Sequence, residues 1–180
     1  MFKGHVDIDF LTTEMLAKIK FTHHNHVPYT GGYWEEKGIP IPDYPYDGPW
    51  VYQVFNEDCP VWAQKIKHMF DDVLSHSTVT INMVRPGRFI PPHTDHFYKL
   101  YQNAPVDVKN RNLKPVRINL FLQNAQVGHF FEMDMEIWTD YVKGDYTVIH
   151  QGVPHSVVNI GCGPRYTLQV SGFSEQESFK

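Results

Sequence analysis

The sequence predicts a mainly β fold with flanking helices (α+β), in which an antiparallel barrel or jelly roll follows a helical entry. Three observations support this prediction: a helical period early in the chain, several later segments whose apolar residues alternate with period two, and turn residues between those segments. The chain has 180 residues, 42% of them apolar and 14% aromatic, which excludes a disordered or collagen-like protein. We therefore expect a single domain over residues 1–180, with 1–75 as an N-terminal helix and loop layer.

Two helices are predicted in this layer. A short one covers Glu14–Lys20, capped by one of the two threonines before it. A longer one covers Pro60–Leu74, where apolar residues recur at helical spacing and Asp58 can act as the cap. Between them, residues 22–50 are dense in proline and aromatic residues, so we expect an ordered loop layer that packs on the body of the domain.

Beyond the second helix the period of the apolar residues changes from 3.6 to 2, which predicts strands. Glycine- and proline-containing turns separate these segments. The connection 96–115 is unusually long for such a fold and is therefore a candidate lid. The predicted strands are Val51–Phe55, Thr78–Val84, Arg88–His93, Val116–Gln123, Val127–Met135, Asp145–His150, His155–Ile160 and Arg165–Phe173.

Charge and cysteine content limit the class of protein. The net charge of −4 argues against a nucleic-acid binder, although residues 81–117 carry seven basic residues against two acidic ones. Such a local excess suits a small anion, unless these are solvated loop charges. No apolar stretch reaches the length of a membrane span. The residues after Lys3 do not form a continuous apolar run, so we expect no signal peptide. With Cys59 and Cys162 far apart in the sequence, we expect a cytoplasmic protein with reduced thiols and no membrane partner.

The first candidate site is the segment Pro91-Pro92-His93-Thr94-Asp95. If this segment is extended, His93 and Asp95 point to the same side, because side chains alternate along a strand. An imidazole and a carboxylate on one face can bind one divalent metal. His-x-Asp also occurs by chance, and a surface turn residue is the alternative interpretation of His93.

The second candidate site places His155 at the start of a strand and Arg165 after a glycine-rich turn. If the two strands form a hairpin with Asn159 opposite Arg165, then His155 and Arg165 share a face roughly 13 Å apart. A short dicarboxylate would fit between a metal on the histidine and the arginine, whose planar fork binds carboxylates at two points. A register shift of one residue would move the arginine to the other face. A core histidine without a metal is the alternative for His155.

Together the two segments supply two imidazoles and one carboxylate, the ligand set of non-haem Fe(II) centres with open positions for reactants. Zinc is the second candidate metal because it accepts the same ligands. No glycine-rich phosphate loop, nucleophile elbow or Cys-x-x-Cys pair supports a kinase or hydrolase.

The segments that carry these ligands resemble a known family. The run Arg85–Asp95, followed by Gly144-Asp145 and by His155–Gly161 with Arg165, is similar to the Fe(II)/2-oxoglutarate-dependent dioxygenases, in particular the prolyl- and aspartyl/asparaginyl-hydroxylase-like group. The likeness covers residues 78–173. It implies a double-stranded β-helix, the jelly roll of cupin-like proteins.

The resemblance also implies roles for individual residues. His93, Asp95 and His155 would bind Fe(II), and Arg165 would bind the distal carboxylate of 2-oxoglutarate. Arg117 is a second candidate for that carboxylate, since some hydroxylases of the aspartyl type place an arginine on an earlier strand. On its predicted strand Arg117 faces either the barrel interior or the solvent. The resemblance implies no catalytic residue beyond the metal ligands.

The expected function is hydroxylation of a C–H bond of Pro, Asp or Asn in a peptide, or of a small metabolite. Asp95 departs from the aspartyl-hydroxylase pattern, which tends to lack the acidic ligand, so the subfamily is open. The alternative is a non-catalytic cupin-like module that binds a metal or ligand, or is purely structural. The lid candidate and the aromatic loops would shape the choice of substrate.

Other histidines compete for the metal. His150 ends a predicted strand but has no arginine at the matching offset, and His129 could lie near the site, toward substrate. A patch formed by His23, His24 and His26 could bind metal adventitiously, and a polar turn is the alternative there.

Overall fold

Two antiparallel sheets packed face to face form the body of the protein, whose computed structural model describes residues 1–25 and 49–175. Within these residues the strands are β1 (Lys3–His5), β2 (His23–Asn25), β3 (Val51–Phe55), β4 (Ser75–Val84), β5 (Arg88–His93), β6 (Lys114–Phe121), β7 (His129–Met133), β8 (Glu136–Trp138), β9 (Asp145–His150), β10 (His155–Asn159) and β11 (Arg165–Ser174). The helices are α1 (Thr13–Ala17), α2 (Val61–His68), α3 (Tyr98–Gln102) and α4 (Val106–Asn110), with a 3₁₀ turn at Asn56–Asp58.

The larger sheet has seven strands in the order β1-β9-β6-β11-β4-β3-β2, and the smaller sheet has four in the order β5-β10-β7-β8. All the strand pairs are antiparallel. The predicted fold class is therefore confirmed: the domain is mainly β and has the jelly-roll architecture of cupin-like proteins.

Every strand predicted from the sequence is present, with ends that differ by at most three residues. The sequence missed β1, β2 and β8, each of which has three residues. A segment of three residues is too short to show an alternating pattern, so only tertiary pairing defines these strands.

Successive side chains of β6 point in opposite directions, into two different hydrophobic cores. Ile118 is fully buried in the cluster that contains Ile66 of α2, on the outer face of the larger sheet. Arg117 and Phe121 point the other way, between the sheets, where Phe121 packs edge-on against Phe131 of β7 with ring centroids 5.7 Å apart. The interior orientation of Arg117 is the one that positions it near the candidate site.

Both predicted helices are present and begin within one residue of their predicted starts, but both end earlier than predicted. Thr12 caps α1 by accepting a hydrogen bond from the backbone of Met15. Helix α2 ends at His68, earlier than predicted, because the following turns use i→i−3 hydrogen bonds and carry the chain to the buried Leu74. The predicted cap is wrong: Asp58 belongs to the 3₁₀ turn, and no side chain of the described residues caps α2.

The lid candidate 96–115 contains α3 and α4 and ends in the first residues of β6. Val108 and Leu113 are buried in a small hydrophobic cluster with Phe173 of β11, so the segment packs on the larger sheet. Its role as a lid stays a prediction.

Most of the predicted loop layer, residues 26–48, lies outside the described residues. At its described end, Trp50 is buried and its ring contacts the ring of Phe89 edge-on, with centroids 4.5 Å apart. Of the histidine patch, His23 and His24 lie on β2 with exposed side chains, and the third histidine lies outside the described residues.

The two cysteines are free thiols. Burial raises the pKa of Cys59 to about 11, whereas Cys162 is exposed. No helix among residues 1–25 and 49–175 is long and apolar enough to cross a membrane. The expectation of a single domain over residues 1–180 stays a prediction.

Candidate metal centre

The structure brings His93, Asp95 and His155 together. His93 ends β5 and His155 begins β10, and the two residues are direct neighbours across this strand pair. Their ring centroids are 4.2 Å apart, and Asp95 Oδ2 lies 3.8 Å from His155 Nε2. The three potential ligand atoms all lie within 4.8 Å of one another. Within the part of the chain that the structure describes, this is the one such group of histidine, cysteine or acidic side chains.

Backbone carbonyls fix the orientation of both imidazoles. His93 Nδ1 donates to the carbonyl of Pro91 at 2.9 Å, and His155 Nδ1 donates to the carbonyl of Val153 at 3.1 Å. Since a carbonyl only accepts, the proton of each neutral ring is on Nδ1. Each ring therefore offers Nε2 as its metal ligand, in the arrangement by which proteins orient metal-binding histidines.

The cluster is in the protonation state that metal binding requires. Burial lowers the pKa of His155 to about 4 and also lowers the pKa of His93. Burial alone would raise the pKa of Asp95, but the positive charge of Arg117, and that of the two histidines when they are protonated, lower it below its ordinary value. Near neutral pH both imidazoles are uncharged and the carboxylate is ionised.

Arg165 is a buried cation in the same interior. Its side chain is 1% exposed, its Nε donates to the hydroxyl of Tyr141 at 3.0 Å, and its guanidinium lies 5.4 Å from the ring centroid of Phe121. Its Nη2 atom has no hydrogen-bond partner among the described residues, nor does the guanidinium have a carboxylate within ion-pair distance there. An unpaired buried charge is costly, so this arginine is a candidate for binding an anion.

The predicted hairpin between the strands of His155 and Arg165 is wrong. Asn159 pairs with Arg88 and His129 in the smaller sheet, whereas Arg165 pairs with Val84 in the larger one. The turn after β10 carries the chain from one sheet to the other, so the distance estimate based on a shared hairpin has no basis. Arg165 still points into the interior, because it lies on the inner face of β11 and packs against Phe121.

Arg117 lies at the metal cluster rather than beside Arg165. Its Nη1 donates to Asp95 Oδ2 at 2.7 Å, and its Nε donates to the hydroxyl of Ser171 at 3.0 Å. Both members of the ion pair are largely buried, with side chains 22% and 11% exposed. Of the two arginines considered for the cosubstrate carboxylate, Arg117 is therefore already engaged by a carboxylate and Arg165 is not.

The competing histidines lie elsewhere. His150 ends β9 opposite Val116 and is not part of the cluster. His129 is buried on β7, where its Nε2 faces the carbonyl of Gly163 at 3.5 Å and its Nδ1 has no partner in the described chain. Burial is the main reason why the pKa of His129 is lowered, and the nearby charge of Arg165 adds to the effect.

Sequence reasoning missed two polar residues of this interior. Tyr141, the partner of Arg165, lies in an irregular segment between β8 and β9, where no periodic pattern could have revealed it. Asn119 lies on the same face of β6 as Arg117 and Phe121, and no pattern in the sequence indicated a role for it. Its Oδ1 accepts from Gln169 at 3.4 Å, and its buried Nδ2 has no partner among the described residues. An amide two residues from Arg117, on the face of β6 that points between the sheets, was the signal available.

Comparisons with known proteins support the fold alone. No protein-family model matches this sequence, and no curated protein matches it. A prolyl-4-hydroxylase from Pseudomonas putida is similar in structure, with a TM-score of 0.51 and 18% identity over 80% of this chain and 81% of that one. A cupin protein from Bacteroides fragilis has a TM-score of 0.39 and 17% identity over 62% of this chain and 77% of its own. KdgF from a Halomonas species has a TM-score of 0.41 and 12% identity over 77% of this chain and 92% of its own.

Proposed function

We propose that this protein is an Fe(II)- and 2-oxoglutarate-dependent oxygenase that hydroxylates a C–H bond of an amino-acid residue (Pro, Asp or Asn in a peptide) or of a small metabolite. The observation that carries the proposal is the presence, in one interior, of a three-ligand cluster and a buried arginine that has no carboxylate partner among residues 1–25 and 49–175. The proposal includes a cytoplasmic location and a small-molecule or peptide substrate, with no nucleic-acid or membrane partner.

The ligand cluster fits ferrous iron. Two neutral imidazoles and one carboxylate are the donors of the facial triad, which leaves positions open for reactants. Zinc accepts the same donors, but a simple zinc site gives no reason for a buried cation nearby. When bound, iron and 2-oxoglutarate supply the oxidising chemistry: O2 provides one oxygen atom to succinate, formed with CO2, and one to the substrate.

In this proposal Arg165 binds the distal carboxylate of 2-oxoglutarate through Nη2, its unpartnered donor. The hydroxyl of Tyr141 fixes the guanidinium, and the stacked rings of Phe121 and Tyr141, 3.8 Å apart, keep water from it. A charge-assisted hydrogen bond is strong in such a dry environment.

Asn119 provides a further donor in this interior. Asn119 pairs with Gln169 of β11 on the inner face of the larger sheet, and its buried Nδ2 has no partner in the described part of the chain. We assign to Nδ2 the role of donating to an oxygen of the bound cosubstrate, because a buried amide proton without an acceptor costs about 1–3 kcal/mol.

Anaerobic titration with Fe(II) and 2-oxoglutarate tests the proposed function. We expect a visible charge-transfer band, and slow release of succinate once air is admitted. His155→Ala should abolish the band, and the matched variant His150→Ala should retain it. A band that survives in His155→Ala but not in His150→Ala would contradict the ligand assignment.

A non-catalytic cupin-like module is the second candidate, and one observation favours it. The ion pair between Arg117 and Asp95 satisfies the carboxylate without any metal, as a purely structural cluster would require. Such a module should give neither the band nor succinate in the same experiment.

A further inference from the structure

Arg117 is held against the candidate metal ligands from three sides. Its Nη1 bonds Asp95 Oδ2 at 2.7 Å, its Nε bonds Ser171 Oγ at 3.0 Å, and its guanidinium lies 5.3 Å from the ring centroid of Phe97. Asp95 follows the last residue of β5 by two positions, so strand pairing does not fix its carboxylate. The arginine, which comes from the opposite sheet, supplies that restraint.

The carboxylate oxygen bonded by Arg117 is also the one that faces the histidines. Asp95 Oδ2 lies 2.7 Å from Arg117 Nη1 and 3.8 Å from His155 Nε2. A divalent cation bound by this cluster must therefore share the carboxylate with a guanidinium. The two cations compete for the same negative charge, and both are largely removed from solvent.

Binding of a divalent metal alone would leave this buried region with an excess of positive charge. In the described residues, the charges at this end of the interior are those of Asp95 and Arg117, which cancel, since the histidines bind metal in their neutral form. A dication then leaves an excess of two positive charges in a buried place, which is unfavourable unless an anion enters with it.

We propose that Arg117 couples metal binding to anion binding: it opposes capture of a divalent metal alone and favours its capture together with an anionic ligand. This inference rests on the metal site of the proposed function. Coupling between two ligands is reciprocal, so the bound metal must raise the affinity for the anion by the same factor. Arg117 acts through Asp95 and is a positioning residue, not a catalytic one.

Calorimetric titration with Mn2+ tests the proposal without any turnover. Mn2+ is added to the metal-free protein with and without 2-oxoglutarate, at a concentration that does not chelate the metal in solution. In the wild type we expect the anion to tighten Mn2+ binding by roughly 5- to 150-fold, the usual range of such coupling.

Two substitutions of the arginine separate its charge from its contacts. Arg117→Gln keeps a donor for Asp95 but removes the charge. It should bind Mn2+ alone more tightly than the wild type and lose more than half of the tightening by 2-oxoglutarate. Arg117→Lys keeps the charge and should keep the coupling. Ser171→Ala, the matched control, removes only a tether of the guanidinium and should also keep it.

Several outcomes overturn the proposal. Unchanged coupling in Arg117→Gln, or weaker binding of Mn2+ alone, would leave the arginine with an orienting role only. Loss of coupling in Arg117→Lys would exclude charge as the cause. If Arg117→Gln does not fold, absence of coupling in the wild type or in Arg117→Lys overturns it equally. Failure of the proposed metal site looks different, because Mn2+ would then bind His155→Ala as well as the wild type. Failure of the proposed oxygenase activity is seen separately, as absence of succinate release in the Fe(II) experiment.

Discussion

Burial of single side chains sets the acid stability of the metal-free protein. The pKa of His155 is lowered to about 4 from an ordinary value of 6.5, and that of His93 is lowered by the same cause. Between pH 4 and 6.5 the folded state therefore binds fewer protons than the unfolded state. The free energy of unfolding has its full value above about pH 6.5, and it decreases as the pH falls from 6.5 to 4.

We expect urea unfolding in the presence of a chelator to show this decrease between pH 6.5 and pH 4 in the wild type. The free energy of unfolding of His155→Ala should depend less steeply on pH, because this variant lacks the histidine whose pKa is lowered to about 4. His24→Ala removes an exposed histidine and is the matched control. An unchanged slope in His155→Ala would contradict the role of burial.

Arg165 and Tyr141 should control the affinity for 2-oxoglutarate rather than for the metal. Arg165→Gln should lose at least about 30-fold in affinity, as expected when one partner of a buried charge pair is removed. Tyr141→Phe removes one hydrogen bond to the guanidinium and should lose roughly two- to tenfold. Calorimetry with 2-oxoglutarate on the Mn2+-loaded protein measures both effects.

The control for these variants is Arg111→Gln, at an exposed arginine that pairs with Glu175. It should bind 2-oxoglutarate like the wild type. If Arg165→Gln weakens Mn2+ and 2-oxoglutarate equally, the arginine supports the fold of the site instead of binding the anion.

At the scale of elements, β10 links the two ends of the interior. His155 begins the strand, and Asn159 ends it with its Nδ2 donating to the carbonyls of Val84 and Gly163. Its Oδ1 accepts from the backbone of Gly161. This fully buried amide therefore fixes the turn that takes the chain from the smaller sheet to the larger one.

Asn159→Ala should destabilise the protein by about 2–4 kcal/mol, because it leaves several buried backbone groups without partners. Chemical denaturation measures the change in the free energy of unfolding. Cys162→Ser, an exposed position in the same turn, should stay within about 0.5 kcal/mol of the wild type. A loss below 0.5 kcal/mol in Asn159→Ala would show that the turn forms without this amide.

The strands were predictable because alternation and turn residues are local signals, and His-x-Asp was recognisable because two ligands lie on one short segment. The partner of each strand was not predictable in the same way. The turn between Asn159 and Arg165 has the composition of a hairpin, yet it joins two sheets. Tyr141 was not predicted, because it reaches the interior from an irregular segment. The position of Arg117 beside Asp95 depends on how the two sheets pack, which local sequence patterns do not show.

At the scale of the whole molecule, aromatic rings between the sheets hold them together. Phe131 of the smaller sheet is fully buried against Phe121 of the larger one. Phe131→Ala should cost about 3–5 kcal/mol of unfolding free energy, measured by chemical denaturation. Val127→Ala, at a side chain 96% exposed, should have almost no effect. Similar losses in the two variants would mean that the sheets do not depend on this contact.

Metal binding should stabilise the entire domain, because the ligands come together only in the folded chain. At Mn2+ about 100 times above its dissociation constant, the gain is about 2.7 kcal/mol. For a domain of this size this corresponds to a rise of roughly 5–10 °C in Tm. Calorimetric melting should show the rise in the wild type and not in His93→Ala. A rise of equal size in that variant would place the metal elsewhere.

Both histidine ligands belong to the four-stranded sheet, whereas both arginines belong to the seven-stranded sheet. Under the proposed function, the histidines that would bind the metal and the arginine that would bind the cosubstrate therefore lie on different sheets. Under the proposed function, substitutions around Arg165 would change which acid is admitted while the imidazole pair stays intact. Under the same proposal, an evolving lineage would be free to exchange one cosubstrate for another without altering the strands that carry the two histidines.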